Sequence, residues 1–275
     1  MLVEGVHFFP GDDPFLLGRK SLSVNLSDMA AMGAKPAWAL LALSLPTADE
    51  AWLDAFSKGF MMQAESYAVD LIGGDTTKGP LAICVQIMGE VDTELALRRD
   101  GARIGDDIWV SGNLGDAALG LAHLKGEIRL EEEDAKACLK ALRDPEPRIE
   151  LGLALRGLSK CAIDISDGFC ADLGHILEKS GVAGRVALSG LPISKTMEKY
   201  CGSDVGGKAV LSGGDDYELC FTASPEKSDE IGAIGEKLGL RLAKVGKIAG
   251  GAGLVVLDSE GRELKLGERG YAHFR

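Results

Sequence analysis

The sequence predicts an α/β or α+β protein with two domains. Strand-like and helix-like segments alternate along its 275 residues, 46% of which are apolar, so the chain is long enough for one large domain or two ordinary ones. Pro145 and Pro147 follow an acidic helical segment and prevent its continuation. We therefore expect an N-terminal domain over residues 1–143 and a C-terminal domain over residues 144–275.

The N-terminal half contains helices and strands with clear ends. A helix is expected from Lys20 to Met32, because Gly33 supplies an ending, and a strand follows from Trp38 to Leu45. Thr47 and Glu50 form a capping box that opens a second helix with an apolar face. Further strands are expected at Val69–Ile72, Leu81–Val91 and Ile108–Val110.

The C-terminal half starts again with a helix, a buried strand and a second helix. These run from Ile149 to Ser159, from Cys161 to Ile165 and from Phe169 to Lys179, where Gly181 closes the second helix. Four more strands are expected, at Arg185–Leu188, Glu218–Thr222, Arg241–Ile248 and Leu254–Asp258.

The charge and the cysteine pattern restrict the classes of ligand. A net charge of −12 disfavours nucleic acid and anionic membranes, so a polyanionic ligand has to be neutralised locally by metal ions. The six cysteines are scattered and include no Cys-x-x-Cys pair, which is typical of reduced, buried thiols. No apolar stretch is long enough for a membrane span, and no signal segment opens the chain. We expect a cytoplasmic protein without nucleic-acid or membrane partners.

Four short clusters rich in aspartate indicate the chemistry. They are Asn25-Leu26-Ser27-Asp28, Gly73-Gly74-Asp75-Thr76, Asp164-Ile165-Ser166-Asp167-Gly168 and Ser212-Gly213-Gly214-Asp215-Asp216. The last three lie where an apolar run meets a turn or a helix start, a position from which a fold presents groups to a ligand. Their carboxylates come without matching Cys or His partners, which favours magnesium over zinc or copper. A nucleotide bridged by magnesium fits this pattern.

Each cluster also has an explanation without a ligand. Asp28 could belong to a solvated polar stripe on its helix, and Asp75 to an ordinary turn displayed between two strands. Ser166 and Asp167 could cap the helix that follows them. Asp164 differs, because a carboxylate inside an apolar strand is costly unless a cation or strong donors lie close. The third cluster is therefore the best candidate for metal binding.

Taken in order along the chain, several segments resemble the thiamine-monophosphate kinase family. They are Leu2–Phe8, Val24–Ala34, Leu71–Thr77, Ile163–Gly168 and Leu211–Leu219, followed by Gly270-Tyr271 near the end. The resemblance implies an aminoimidazole ribonucleotide synthetase-like fold, with an N-terminal α/β domain that dimerises through a β-barrel and a C-terminal α+β domain. It also implies a homodimer that uses ATP and several Mg²⁺ ions to phosphorylate thiamine phosphate to thiamine diphosphate.

The same resemblance assigns roles to individual residues. Those that match the family's magnesium ligands are Asp28, Asp75, Asp164 and Asp167. Those that match its ATP contacts are Gly74, Asp75, Arg99 and Ser166. Those that match its contacts to thiamine phosphate are His7, Asp215 and Tyr271. Because phosphoryl transfer depends mainly on positioning and charge neutralisation, we expect direct in-line transfer and assign no catalytic residue in the strict sense.

The likeness has two departures, and two alternatives stay open. Family members carry a Gly-Asp-Asp metal motif and a further Asp before the position of Leu2, so we expect part of the metal site to be missing here. They also often have Glu at the position of Asp215. One alternative is another ATP-using superfamily enzyme, such as a selenophosphate synthetase or a hydrogenase-maturation factor. The other is an inactive dimeric module that binds nucleotide or thiamine phosphate.

Overall fold

The computed structural model describes residues 1–264, 270 and 271, and its strands form two sheets. The strands are β1 (Leu2–Val3), β2 (Lys35–Leu45), β3 (Asp70–Lys78), β4 (Ala82–Glu90), β5 (Asp107–Ser111), β6 (Cys161–Asp164), β7 (Ala183–Ala187), β8 (Leu219–Ala223), β9 (Leu242–Ala249) and β10 (Gly253–Leu257). The helices are α1 (Pro14–Ala31), α2 (Glu50–Ser66), α3 (Asp116–Leu124), α4 (Glu132–Arg143), α5 (Ile149–Ala154), α6 (Phe169–Ser180), α7 (Lys195–Tyr200), α8 (Asp204–Ser212) and α9 (Ser228–Leu238).

Helix α1 begins at Pro14 rather than at the predicted Lys20. The Asp13 carboxylate caps it by accepting hydrogen bonds from the backbone N–H of Phe15 at 2.8 Å and of Leu16 at 3.5 Å. Pro14 occupies the first turn, where a missing N–H costs nothing. Within the described residues, no helix is both long enough and apolar enough to cross a membrane.

The predicted capping box of helix α2 is wrong. Asp49, and not Thr47, is the N-cap residue, and its carboxylate accepts hydrogen bonds from the backbone N–H of Ala51 at 2.9 Å and of Trp52 at 3.2 Å. An aspartate next to the first turn also complements the partial positive charge of the helix N-terminus. Asp49 therefore fixes the start of α2 at Glu50.

The N-terminal sheet is open, with strand order β1-β4-β2-β3. Strands β1, β4 and β2 pair antiparallel, whereas β3 pairs parallel with β2. The described residues of the chain form no closed barrel, so the predicted dimerising β-barrel is not confirmed as a feature of this sheet. β3 is an edge strand and is exposed along its whole length.

The strand predicted to end at Ile72 continues through Gly73-Gly74-Asp75, so the alternative of a turn at these residues is wrong. The parallel pairing of β3 with β2 continues through these residues, with Gly74 opposite Leu41 and Asp75 opposite Ala42. A Cβ at residue 74 would overlap with the carbonyl oxygen of Leu41. The glycine is therefore required for close approach of two strands and not for a turn.

The C-terminal sheet has the strand order β10-β7-β9-β5-β8-β6 and is antiparallel except for the β10–β7 pair. Alternate side chains of its central strands lie in two different cores. Trp109 and Phe221 pack in the core that α1 and α2 share, and Ile108 and Cys220 pack in the core that α3 and α6 share. The central strands are thus buried on both faces and connect the two halves of the molecule.

The predicted strands of the C-terminal half are confirmed to within two residues at their ends, and helix α5 is shorter than predicted. Strand β5, at residues 107–111, pairs with strands from the C-terminal half, so the chain enters the second sheet well before residue 143. The division of the chain at residues 143 and 144 stays a prediction. Helix α1 packs against β6, which places the second half of α1 beside the end of that strand.

Candidate functional site

Helix α1 and strand β6 bring two predicted metal ligands together. Asp164 ends β6 and is only 5% exposed, and its Oδ2 accepts a hydrogen bond from Ser27 Oγ at 2.8 Å. Burial raises the pKa of Asp164 despite this hydrogen bond. Asp28 keeps contact with solvent, yet the surrounding protein and the charge of Asp164 raise its pKa to about 6. Asp28 and Asp164 therefore lie close together, and the positive groups of the chain only partly neutralise their negative charge.

The loop after β6 is held by a residue that the sequence analysis did not single out. Asp172 Oδ2 accepts hydrogen bonds from the backbone N–H of Ser166 and Asp167 at 3.0 Å and of Gly168 at 3.1 Å. Burial raises the pKa of Asp172 to about 7, although the backbone hydrogen bonds oppose the increase. The N-cap of α6 is Gly168, so neither Ser166 nor Asp167 has the capping role considered above. The loop holds both residues beside Asp164.

The three predicted substrate contacts line one cavity of about 320 Å³. His7, Asp215 and Tyr271 come from distant parts of the chain, and they meet there with apolar side chains such as Phe8 and with the buried Lys20. Both apolar and charged side chains line the cavity, and its size is typical of a small-molecule site. The structure thus brings together residues that the sequence places more than 200 positions apart.

His7 lies in a turn after β1. Its Nδ1 accepts a hydrogen bond from the backbone N–H of Val3 at 3.1 Å. This hydrogen bond orients the imidazole ring. The turn therefore sets the position of the ring.

Two backbone hydrogen bonds join the cavity to the carboxylate cluster. The N–H of Asp215 donates to the carbonyl oxygen of Ser166 at 2.9 Å, and the N–H of Tyr271 donates to that of Asp167 at 3.0 Å. Two lining residues of the cavity are thus tied to the loop that follows Asp164. The cavity wall is therefore connected through its backbone to the loop that carries Ser166 and Asp167.

The two adjacent aspartates of the fourth cluster point to different partners. Asp215 Oδ1 accepts a hydrogen bond from Tyr217 OH at 2.9 Å, and Oδ2 lies 3.5 Å from Lys20 Nζ. Asp216 instead accepts the backbone N–H of Gly115, at 2.9 and 3.0 Å, at the start of α3. The backbone has positive φ at Asp215 (+68°) and at Tyr217 (+50°), a conformation that costs energy in residues with a side chain. The surrounding hydrogen bonds therefore hold these residues in this conformation, with Asp215 on the cavity wall.

Gly74 and Asp75 are not brought to the Asp28–Asp164 pair by any contact within the described chain. Asp75 lies on the exposed edge strand β3, where its Oδ1 accepts the backbone N–H of Thr76 at 2.9 Å. Across the described residues, no three carboxylate, histidine or cysteine groups converge closely enough to hold a metal ion. The predicted ligand set is therefore only partly assembled in one chain.

Arg99 is exposed, and its backbone carbonyl accepts a hydrogen bond from Ser180 Oγ at 3.0 Å. Its positive charge lowers the pKa of both Asp28 and Asp164, against the larger effect of burial. The guanidinium therefore lies close enough to act on the carboxylate cluster, where it can also attract an anion.

The donor set fits a hard cation. Asp28, Asp164 and Asp167 offer oxygen atoms only, which is the ligand type that Mg²⁺ prefers. Burial and the charge of a neighbouring carboxylate disfavour the charged forms of Asp28 and Asp164, and a divalent cation would offset both effects. On these grounds the residues present suit magnesium.

Sequence reasoning missed Lys20 and Asp172. Both are polar residues on otherwise buried helix faces, and each is at most 5% exposed. The sequence does contain a signal for both residues, because helical periodicity places a charged side chain on a buried face. Their role could not be inferred from it, since the hydrogen-bond partner of Lys20 is 195 positions away.

Two family models match most of the chain. A model described as the AIR synthase related protein N-terminal domain matches residues 1–91, and one described as the C-terminal domain of the same family matches residues 103–259. Among curated proteins, the thiamine-monophosphate kinase of Salmonella typhimurium is 42% identical over 99% of this chain and 84% of its own length.

Solved structures agree with these matches. The thiamine-monophosphate kinase of Stenotrophomonas maltophilia is 48% identical, with a TM-score of 0.89 over 93% of this chain and 82% of its own. A structure described as AaThiL complexed with AMPPCP and TMP is 34% identical, with a TM-score of 0.87 over 99% of this chain and 85% of its own.

Proposed function

Because the chain belongs to the thiamine-monophosphate kinase family of AIR synthase related proteins, we propose that it phosphorylates thiamine phosphate to thiamine diphosphate with ATP. One structural observation carries this proposal. His7, Asp215 and Tyr271 line a single cavity that is tied through its backbone to the carboxylate cluster. An acceptor site beside a metal and nucleotide site is the arrangement that the reaction needs.

The reaction transfers one phosphoryl group between two anions. An oxygen of the acceptor phosphate forms a bond to the γ-phosphorus of ATP, and the bond to the β–γ bridging oxygen breaks as ADP leaves with the electron pair. The acceptor phosphate is already ionised near neutral pH and needs no strong general base. The protein contributes by holding the two phosphates in line and by screening their repulsion.

We assign the site residues on the same basis. Asp28, Asp164 and Asp167 would hold Mg²⁺, which when bound neutralises phosphate charge, and Asp75 would add a further oxygen ligand from strand β3. Gly74, Asp75, Arg99 and Ser166 would contact ATP, and His7, Asp215 and Tyr271 would contact thiamine phosphate. The position of Arg99 near the carboxylates and the shared cavity support the second and third groups.

We further propose that the enzyme is a homodimer that pairs through the N-terminal sheet. The edge strand β3 is exposed along its length and includes Leu71 and Ile72, which are 38% and 57% exposed. An exposed edge strand with apolar side chains is a ready surface for pairing with another chain. A second sheet at this edge would complete the barrel that one chain leaves open. A cytoplasmic location stays a prediction.

The test of the proposed function is formation of thiamine diphosphate from ATP and thiamine phosphate with excess Mg²⁺, followed by chromatography of the products. We expect stoichiometric ADP and thiamine diphosphate, and loss of both when EDTA replaces Mg²⁺. Binding of either substrate by the folded protein without turnover would instead indicate the inactive binding module. Turnover only with other phosphate acceptors would favour a different enzyme of the superfamily.

A further inference from the structure

Lys20 is an ammonium group enclosed in the middle of helix α1. The residue is 5% exposed and lines the same cavity as His7, Asp215 and Tyr271. Burial of a charged side chain is costly unless it is paired and hydrogen-bonded. A buried lysine at this position therefore requires an anionic partner.

The protein supplies that partner only in part. In the described part of the chain, the one acceptor near Lys20 Nζ is Asp215 Oδ2 at 3.5 Å, the outer limit of a hydrogen bond. The other oxygen of Asp215 is engaged by Tyr217 OH at 2.9 Å. An ammonium group has three donors, so Lys20 retains capacity for an anion that enters the cavity.

The position of Lys20 on α1 relates the cavity to the carboxylate cluster. Ser27, which donates to Asp164, follows Lys20 by seven positions, so the two side chains lie on the same face of the helix. Seven residues span about 10 Å along a helix axis. A ligand that contacts Lys20 is thus aligned with the cluster along one helix.

We propose that Lys20 Nζ contacts the phosphate of thiamine phosphate and sets the preference for the phosphorylated acceptor over thiamine. This inference rests on the proposed function, because it takes thiamine phosphate as the occupant of the cavity. Thiamine phosphate carries a cationic thiazolium ring and an anionic phosphate. Lys20 and Asp215 place a positive and a negative group side by side in a cavity that Asp12, Asp13, Lys125 and Arg143 also line, so groups of both signs can meet the two charges of the ligand.

The experiment compares thiamine and thiamine phosphate as ligands of the full chain, by calorimetry without ATP. In the wild type we expect tighter binding of thiamine phosphate than of thiamine. Lys20→Met should weaken binding of thiamine phosphate about 10- to 100-fold and change thiamine binding less than about twofold. Lys20→Arg should restore part of the preference, because it keeps the charge.

A matched control is Lys227→Met. Lys227 also pairs with a carboxylate, Glu230 at 2.7 Å, but it is on the surface and outside the cavity. This variant should bind both ligands as the wild type does. In steady state, Lys20→Met should raise KM for thiamine phosphate more than KM for ATP, whereas Lys227→Met should alter neither.

Equal weakening of both ligands by Lys20→Met would overturn the proposal, because Lys20 would then act only by positioning Asp215. Unchanged binding of both would overturn it as well. If Lys20→Met does not fold, Lys20→Gln and Lys20→Arg provide the same comparison of ligands. Turnover of the wild type distinguishes the role of Lys20 from the proposed kinase function. If the wild type is active and the Lys20 variants keep its ligand preference, the role of Lys20 is refuted and the kinase function stands.

Discussion

At the scale of single residues, the site is defined by carboxylates that the chain alone does not fully neutralise. Asp164 is buried with one serine hydroxyl as a donor, and Asp28 is close enough for the two charges to repel. Removal of one charge at this point should have little cost for folding, because it also removes repulsion and desolvation. The same charges are needed to bind a magnesium–nucleotide complex. Loss of one of these carboxylate charges is therefore expected to lower activity without lowering stability.

Asp164→Asn is the substitution that tests this separation. We expect turnover to fall at least about 100-fold, since a metal ligand is lost, while the melting temperature stays within a few degrees of the wild type. Thiamine diphosphate formation and thermal unfolding measure the two effects. Asp116→Asn is the matched control, because Asp116 has a pKa raised by burial and accepts a hydrogen bond from Ser194 Oγ at 2.7 Å, outside the site. Near-normal turnover of Asp164→Asn at saturating Mg²⁺ would exclude the ligand role.

At the scale of elements, two strand pairs have particular constraints. β3 lies so close to β2 at Gly74 that no side chain fits, and β5 is tied to β9 through a buried aspartate. Asp107 is 0% exposed and accepts hydrogen bonds from Lys244 at 3.0 Å and Lys247 at 2.7 Å. These contacts stabilise strand pairing and take no part in the chemistry of the site. Their loss should therefore lower the free energy of unfolding.

Gly74→Ala should destabilise the protein by roughly 2–3 kcal/mol, because the new Cβ overlaps with the Leu41 carbonyl and forces β3 away from β2. Gly174→Ala is the control: residue 174 lies in α6 with no atom near the added Cβ, so alanine should stabilise by about 0.5–1 kcal/mol. Urea unfolding measures both changes. An unchanged free energy of unfolding for Gly74→Ala would show that the strand contact is not tight.

Asp107→Asn should lower the free energy of unfolding by about 1–3 kcal/mol near pH 7, and by much less near pH 3. Burial by itself raises the pKa of Asp107, but the hydrogen bonds and charges of Lys247 and Lys244 outweigh it and hold the pKa below the ordinary value. The stabilisation is thus present above the ordinary pKa and is lost as the pH falls through the lower pKa of the folded state. Urea titrations at the two pH values give the comparison. Asp54→Asn, at an exposed pair with Lys58, should change stability by less than about 0.5 kcal/mol at either pH.

At the scale of the whole molecule, two cores share the central strands of the C-terminal sheet, and the N-terminal sheet ends in the edge strand β3, which is exposed at every residue. The shared strands make the two halves one cooperative body, since residues of β5 and β8 belong to both cores. The edge strand β3 is the part of the molecule that a second copy can cover. Association is therefore expected at β3 rather than at the C-terminal sheet.

Ile72→Lys should shift the protein from dimer to monomer in sedimentation velocity experiments, because it places a charge on the exposed apolar edge. Met62→Lys, at a 48% exposed methionine on α2, is the control and should sediment as the wild type does. A monomeric wild type at all concentrations tested would contradict the proposed dimer, and a dimeric Ile72→Lys would place the interface elsewhere.

Local patterns predicted much of this architecture. The strands of the C-terminal half could be located because apolar runs and glycine or proline ends are encoded locally, and Asp164 stood out as a carboxylate in such a run. The alternative of a turn at Gly74 could not be excluded from the sequence, because glycine permits both a turn and a close strand contact, and only the partner strand distinguishes them. Lys20 could not be assigned, because the cavity that it lines is closed by residues from the other end of the chain. The periodicity of the sequence does not reveal which distant segments pair with each other.

The triple hydrogen bond to Asp172 also bears on motion. One carboxylate oxygen in the first turns of α6 restrains three consecutive amides of the loop that precedes it, so the loop has no hinge of its own on that side. Amide hydrogens of Ser166, Asp167 and Gly168 should exchange with solvent as slowly as those at the start of α6, which hydrogen–deuterium exchange can follow. If a nucleotide requires the site to widen, the helix and the loop must travel together as one rigid piece, at the slower rate at which packed helices shift.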